Sequence, residues 1–212
     1  METLAHIFRT GGPFMYVNVV VSIIAIAMII DRVIAIFFKY RINAEAFMRT
    51  VIKLVDNNNI DRAVKVCEDY RNAAVARVSR AGLLKANRGE MEISTAVDEE
   101  LMRCTPMLEK RIASLWAVAN IATLIGLLGT ITGLIRSFSA LASVSPEQKA
   151  TFLARGISEA LNNTAFGLSI AVTCMVGHLI LSGASKNMMA DLEISAVSLE
   201  NYLILRQRSG VK

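Results

Sequence analysis

Residues 112–135 read IASLWAVANIATLIGLLGTITGLI, a run of 24 residues without a charge between Arg111 and Arg136. A helix needs roughly 20 apolar residues to cross about 30 Å of hydrocarbon, so this stretch is long enough to span a membrane. Residues 160–185 form a second run, with 26 uncharged residues. Buried helices of soluble proteins are usually shorter than such runs. We therefore expect an all-α integral membrane protein, and the N-terminal region adds a third span.

That third apolar block is residues 11–30, and beyond Asp31 and Arg32 it continues to Phe38. A cleaved signal peptide is the alternative interpretation. However, Arg9 is the only basic residue ahead of the block, and no small-residue cleavage site precedes Asp31. We interpret the block as an uncleaved span with an almost entirely lipid-like surface, and Asp31 and Arg32 as a pair at the membrane interface.

The distribution of Lys and Arg predicts the orientation of the spans. Fourteen of these residues lie between Lys39 and Arg111 and four in the tail from Lys186, but only three lie in residues 136–155. We expect the large loop and the C-terminus to be cytoplasmic, because basic residues favour that side. The net charge of +5 follows from this asymmetry and does not indicate nucleic acid, since the loop also holds eleven acidic residues.

The predicted organisation of the chain has seven segments. They are an external N-terminal segment 1–13, a transmembrane helix 14–38, a cytoplasmic helical loop 39–111, a transmembrane helix 112–135, an external connection 136–156, a transmembrane helix 157–185 and a cytoplasmic C-terminal helix 186–212.

The cytoplasmic loop has helical periodicity, for example in Phe47, Val51, Leu54 and Val55. The sequence DNNN at 56–59 predicts a break between helices. Pro106 lies in a later helical stretch and is expected to kink or interrupt it. The loop contains no nucleotide-binding motif. The cysteines have no metal-binding spacing, so we expect free thiols and no metal site.

The second span carries a stripe of small and hydroxyl side chains at helical spacing. Its members are Thr123, Gly126, Thr130, Gly133 and Ser137, opposite a face rich in leucine and isoleucine. Gly129 and Gly133 also form a GxxxG motif. Close helix packing is one interpretation. A narrow polar pathway with Thr130 as a hydrogen-bonding group is the other.

The third span has a comparable face, covering an arc of about 140° at 100° per residue. It carries Glu159, Asn163, Thr164, Gly167, Ala171, Cys174, Gly177 and His178. An ionisable residue within a span predicts a functional site. Glu159 could therefore exchange protons, or it could be a solvated, inert residue at the external interface. His178 is interpreted mainly as a packing or interfacial residue.

Two motifs in these spans resemble a known family. LEKRIASLWAVANIATLIGLLGTITGLIRSF at 108–138 and GISEALNNTAFGLSIAV at 156–172 are similar to the MotA/TolQ/ExbB proton-channel family, in particular its TolQ/ExbB branch. AVARVSRAGL at 74–83 is similar to the same branch. The order of one span, a large cytoplasmic loop and a two-span hairpin agrees with this resemblance.

The resemblance implies a ring-forming protein, a homopentamer whose second and third spans line a central pore. It implies that Thr130, Glu159 and Thr164 line the proton pathway. It further implies that the pore holds two copies of a single-span partner similar to ExbD or TolR, whose membrane aspartate is the main proton carrier. Proton flow would move partner against ring, and a TonB- or TolA-like protein would often receive the work.

The chain departs from the branch at several positions. Thr123 and Thr173 stand where proline is usual, which predicts straighter spans and two extra hydroxyls that could face the pore. Asn162 and Asn163 stand where the branch is usually small or apolar and could add hydration beside Glu159. Asn163, like Thr123 and Thr173, is a possible additional pore-lining residue. Close helix packing is expected at four glycines, namely Gly126, Gly129, Gly133 and Gly167.

Three functions remain open at this point. The first is a proton-conducting ring subunit in the bacterial inner membrane, working in TonB-type transport, Tol-type envelope maintenance or motility, with no cofactor other than the transported proton. The second is a non-conducting membrane scaffold for the partner. The third, an intramembrane protease, is disfavoured because Ser169 and His178 are about 13 Å apart along one helix. We therefore expect no enzymatic activity.

Overall fold

The computed structural model describes residues 12–40 and 42–208, and every regular element in this part of the chain is helical. The elements are α1 (Gly12–Ile34) continued by a π-helical turn (Ala35–Lys39), α2 (Ala44–Asp56), α3 (Ile60–Asp69), α4 (Ala74–Leu84), α5 (Glu90–Glu109), α6 (Ile112–Ala140) followed by a 3₁₀ turn (Leu141–Ser143), and α7 (Lys149–Arg208). Among these described residues, three helical stretches are long and apolar enough to cross a membrane. The expected all-α membrane architecture with three spans is confirmed.

The ends of the helices differ from the predicted segment limits. The first predicted segment lies almost wholly outside the described residues, as do the last four residues of the predicted C-terminal helix. The second span continues to Ala140, and the third span and the C-terminal segment form one helix of 60 residues. At 1.5 Å per residue that helix is about 90 Å long, so it extends well beyond the hydrocarbon. Charged residues marked the ends of the predicted spans. They move a helix from hydrocarbon into water, but they do not end the helix.

The chain forms two compact units. The first contains residues up to Asp31 together with Arg111–Ile180, and therefore most of α1, all of α6 and the first part of α7. Its core is made of small side chains such as Ala25, Ala119 and Ala122. Large apolar side chains point outward instead: Leu124, Ile131 and Ile135 are each more than half exposed. Their outward position agrees with the lipid-facing surface that the sequence predicts for the second span.

The second unit contains Arg32–Lys110 and the chain from Leu181 onward. Its core is built from larger aliphatic side chains than that of the first unit. Phe47, Val51 and Val55 of α2 are buried at helical spacing, and Leu54 packs at the edge of the same core. The DNNN segment does end α2, and within it Asn58 adopts a positive φ of 58°. The side chain of Asn43 accepts a hydrogen bond from the Ala46 amide and caps the start of α2.

Of the two expected effects of Pro106, a kink or an interruption of the helix, the interruption is wrong. Helix α5 continues through Pro106 to Glu109, and the break follows at Lys110 and Arg111, where Arg111 has a φ of 61°. Proline removes only its own main-chain donor, whereas residues 110 and 111 leave the helical conformation. Two side chains donate to the carbonyl groups at this helix end: Ser185 to Leu108 at 3.1 Å and Arg32 to Lys110 at 3.2 Å.

Asp31 and Arg32 have separate partners at the end of the first span. Asp31 forms an ion pair with Arg111 at 3.0 Å, while Arg32 is buried and donates to the Lys110 carbonyl. The Asp31–Arg111 pair is about half exposed, so its contribution to stability is small. The ion pair with Asp31 connects Arg111, the positive-φ residue between α5 and α6, to the first span.

Candidate functional site

Helices α6 and α7 approach each other closely along a line of glycines. A Cβ atom on Gly126 would lie 3.3 Å from the Asn163 carbonyl oxygen, and one on Gly133 would lie 3.0 Å from the Ala160 Cβ. On α7, a Cβ on Gly167 would lie only 2.6 Å from the Ala122 carbonyl oxygen. Small residues permit such backbone approach, which is the usual basis of helix packing in membranes.

A further close contact at this interface was not predicted. Ser137 is buried, and its hydroxyl group donates to the Gly133 carbonyl at 2.8 Å. A Cβ on Gly156 would lie 1.8 Å from that hydroxyl oxygen, so Gly156 leaves the space that Ser137 occupies. Ser137 belongs to the stripe identified in the sequence, but nothing in the local pattern pairs it with Gly156.

The hydroxyl groups of Thr130 and Thr164 meet between the two helices. They hydrogen-bond to each other, and either one can be the donor. Thr164 also lies within hydrogen-bonding distance of the Gly126 carbonyl at 3.1 Å, and Thr130 within 3.3 Å of the Ala160 carbonyl. A hydroxyl group can donate one proton while it accepts another, so this pair has the chemistry of a proton relay.

Glu159 directly precedes the buried Ala160 and lies five residues, about 1.4 helical turns, before Thr164 on α7. Its carboxylate accepts from the Arg155 guanidinium at 3.3 Å and retains an exposed fraction of 37%. The surrounding cleft has a volume of about 380 Å³ and is also lined by Arg136, Ser137 and Gly156. Glu159 is therefore a partly exposed carboxylate at the entrance to the α6–α7 contact.

The two threonines at the proline positions bond to their own helices. Thr123 is half-buried and donates to the Ala119 carbonyl at 3.1 Å. Thr173 is exposed and donates to the Ser169 carbonyl at 2.9 Å. Both contacts are of the type in which a hydroxyl bonds to the carbonyl four residues earlier. Both helices run without interruption through these positions.

Asn163, a candidate pore-lining residue, lies inside the protomer with an exposed fraction of 2%. Asn162, its neighbour, is half-buried. The structure also reveals a polar residue that the sequence reasoning missed: Asn18 in α1 is fully buried. Asn18 is therefore a buried polar exception in a span whose surface is otherwise largely apolar, as expected. The buried face of α1 includes Met15, Asn18 and Ala25. Their spacing of three and seven residues follows the helical period, and this spacing is the sequence signal that could have identified the face.

The remaining candidate side chains, His178 and Ser169, have partners outside the Thr130–Thr164 contact. His178 lies 2.9 Å from the Ile112 carbonyl oxygen through its Nδ1 atom and has the Trp116 ring beside it. The Ser169 hydroxyl donates to the Ala165 carbonyl at 2.8 Å. Ser169 and His178 thus have different partners. Within residues 12–40 and 42–208, no cluster of histidine, cysteine and acidic side chains could hold a metal ion.

The three cysteines of the chain are free and buried. Outside the spans, burial raises the pKa of the Cys67 thiol to about 12, although the charge of Arg80 acts in the opposite direction. Burial likewise raises the pKa of Cys104 to about 11. Both thiols therefore remain protonated and poorly nucleophilic near neutral pH.

These features define an integral membrane protein whose second and third spans enclose a hydroxyl pair with a carboxylate at its entrance. Residues 70–194 match the MotA/TolQ/ExbB proton channel family, a range that includes Thr130, Glu159 and Thr164. The chain belongs to this family.

Individual relatives agree with this assignment. The chain is 29% identical over 157 residues to the putative biopolymer transport protein ExbB-like 3 of Synechocystis. The matched region covers 73% of this chain and 73% of the relative. It is 25% identical over 213 residues to the biopolymer transport protein ExbB of Salmonella typhimurium, covering 90% of this chain and 85% of the relative. It is also 29% identical over 126 residues to the Tol-Pal system protein TolQ of Pseudomonas aeruginosa, covering 54% of each.

Proposed function

We propose that this chain is a proton-conducting subunit of a ring in the bacterial inner membrane, which couples proton flow to movement of a single-span partner. The observation that carries the proposal is the hydroxyl pair of Thr130 and Thr164, with the Glu159 carboxylate five residues before Thr164 at the entrance. A carboxylate can take up a proton, and a hydroxyl pair can pass one on by accepting it and releasing its own. Ionisable and hydroxyl groups at membrane depth are costly, which supports a functional role.

The partner and assembly follow from family membership and extend the proposal. The ring is a homopentamer that encloses two copies of an ExbD/TolR-like protein, and a TonB- or TolA-like protein receives the movement. The distribution of basic residues supports a cytoplasmic location for the large loop and the C-terminus, with the N-terminus in the periplasm. The exposed leucine and isoleucine side chains of α6 contact lipid. In this proposal the chain binds neither nucleic acid nor a cofactor, catalyses no reaction, and transports protons.

The test is proton flux into liposomes that contain the chain together with its partner. We expect Glu159→Gln to reduce flux under an applied voltage to the level of empty liposomes, because the amide cannot take up a proton. Glu147→Gln is the matched control, since Glu147 is an exposed carboxylate in the connection between α6 and α7. Normal assembly of both variants, checked by size-exclusion chromatography, is required. Full flux through Glu159→Gln would contradict the proposed role.

A non-conducting scaffold is the second candidate, and one observation favours it. The hydroxyls of Thr130 and Thr164 bond to each other and to main-chain carbonyls within a single protomer. Such a pair could serve only to hold α6 against α7. In that case Thr130→Val and Thr164→Val would weaken assembly, and the assembled wild-type ring with its partner would carry no voltage-driven flux. Flux in the wild type that is lost in assembled threonine variants would exclude the scaffold.

A further inference from the structure

The first span contributes a polar side chain that the proposed proton path does not use. Asn18 has an exposed fraction of 0%. Neither its amide nitrogen nor its amide oxygen forms a hydrogen bond with any group in the described part of the chain. The side chain is enclosed by its own protomer, so neither lipid nor a neighbouring subunit reaches it at the surface.

Asn163 on α7 presents a second buried amide, whose oxygen is unpaired. Its Oδ1 atom is buried without a hydrogen-bond partner among residues 12–40 and 42–208. The side chain lies directly on Gly129 of α6, where a Cβ atom would come within 1.5 Å of the asparagine Nδ2. Glycine at position 129 therefore makes room for a polar group in the interior of the membrane domain.

Contacts around the glycines place both amides where α1, α6 and α7 meet. A Cβ on Gly129 would lie 3.1 Å from the Cβ of Phe14, which is one turn before Asn18 on α1. A Cβ on Gly167, one turn after Asn163 on α7, would lie 3.3 Å from the Nδ2 atom of Asn18. The two asparagines thus occupy successive turns of the same three-helix junction.

We propose that the three spans of one protomer bind water at this junction, held by the side chains of Asn18 and Asn163. An unpaired amide is unfavourable inside a protein, and hydrocarbon offers no alternative partner. Buried water molecules typically make about three hydrogen bonds to otherwise unpaired groups. Water can donate to both amide oxygens and accept from the Asn18 nitrogen. A hard cation fits less well, because it takes six or more oxygen ligands or retained waters.

This site stands on groups inside one protomer and does not depend on proton conduction. Thr164 directly follows Asn163, and its hydroxyl contacts the carbonyl of Gly126, a residue that packs against Asn163. Water at the junction would therefore lie close to the threonine pair and hydrate that part of the α6–α7 contact.

Magnetisation transfer from water tests occupancy directly, in solid-state NMR of the full chain in lipid. We expect the side-chain amide signals of Asn18 and Asn163 to build up several times faster than the backbone amides of Ala25 and Ala171, which are buried in the same helices. Assignment of the backbone and of the asparagine side chains in the wild type identifies the signals, so no variant is needed. Build-up as slow as that of the alanines would overturn the proposal.

A double-mutant cycle in detergent-driven unfolding provides a second measurement. Asn18→Leu and Asn163→Leu each remove one side of the site while keeping similar volume. If they share water, each single variant unfolds at lower detergent than the wild type, and the double variant loses less than the two losses combined. Asn162→Leu, next to Asn163 but half-buried, is the control and is expected to shift the midpoint least. The water site would be refuted if both single variants were more stable than the wild type and their effects on stability were additive. That result would mean that the two amides bind no water.

Discussion

The substitution Gly167→Ala adds one methyl group and tests how closely the second and third spans pack. A Cβ there would lie 2.6 Å from the Ala122 carbonyl oxygen and 3.2 Å from the Gly126 Cα. Both neighbours are main-chain atoms of a packed helix and cannot rotate away, so α6 must move until the contact exceeds 3.0 Å. Overpacking of this kind costs about 1–3 kcal/mol.

Gly183→Ala is the matched control on the same helix, because a Cβ at Gly183 has no atom within 4 Å. Both substitutions gain the same helix propensity of about 1 kcal/mol, so the difference between them isolates the close approach. Gly126→Ala, with its nearest contact at 3.3 Å, is expected to fall between the two.

The assay is reversible unfolding in mixed detergent, followed by circular dichroism and by the fluorescence of Trp116, the only tryptophan of the chain. We expect Gly167→Ala to be about 1–3 kcal/mol less stable than Gly183→Ala. Equal stability of the two variants would refute the inferred contact between α6 and α7.

Two further predictions concern the second unit. Asn58→Ala should be about 1 kcal/mol less stable than Asn58→Gly, measured by chemical unfolding, because both lose the bond from Arg206 but only alanine places a Cβ at a φ of 58°. Equal stability would contradict strain at this turn. The pKa of Cys67 rises from 9.0 to about 12 on folding, so the unfolded chain releases this proton first as pH increases. Its contribution to stability is complete below pH 9 and is lost towards pH 12, and a Cys67→Ala variant should show a smaller loss across that range. An unchanged alkaline profile in that variant would refute this assignment.

Much of the fold could be predicted because local physics determines it. Uncharged runs of 24 and 26 residues identify two spans through the thickness of hydrocarbon alone. The helical period identifies Leu124, Ile131 and Ile135 as an outward face, and all three are exposed. Pro106 shows the limit of this reasoning. Loss of one donor did not end α5, and the break lies where Arg111 takes a positive φ.

The candidate site could be predicted only in part from local sequence patterns. Thr130 and Thr164 could each be placed on a polar face, but their contact depends on how α6 and α7 are rotated and aligned. Asn18 was overlooked because a single amide among valines hardly changes hydropathy. Its importance follows from burial against Gly167, which belongs to a distant part of the chain.

The sequence by itself determined three spans and their lipid-facing surfaces, because these depend on the period and composition of single helices. Membership of the proton channel family followed from the motifs at 108–138 and 156–172 and from the family match. Only the tertiary structure decided that Thr130 meets Thr164, that Glu159 stands at a cleft with Arg155, and that Asn18 and Asn163 face one junction. Contacts between helices depend on close approach at glycines such as Gly129 and Gly167. No local pattern specifies which surface a glycine will meet.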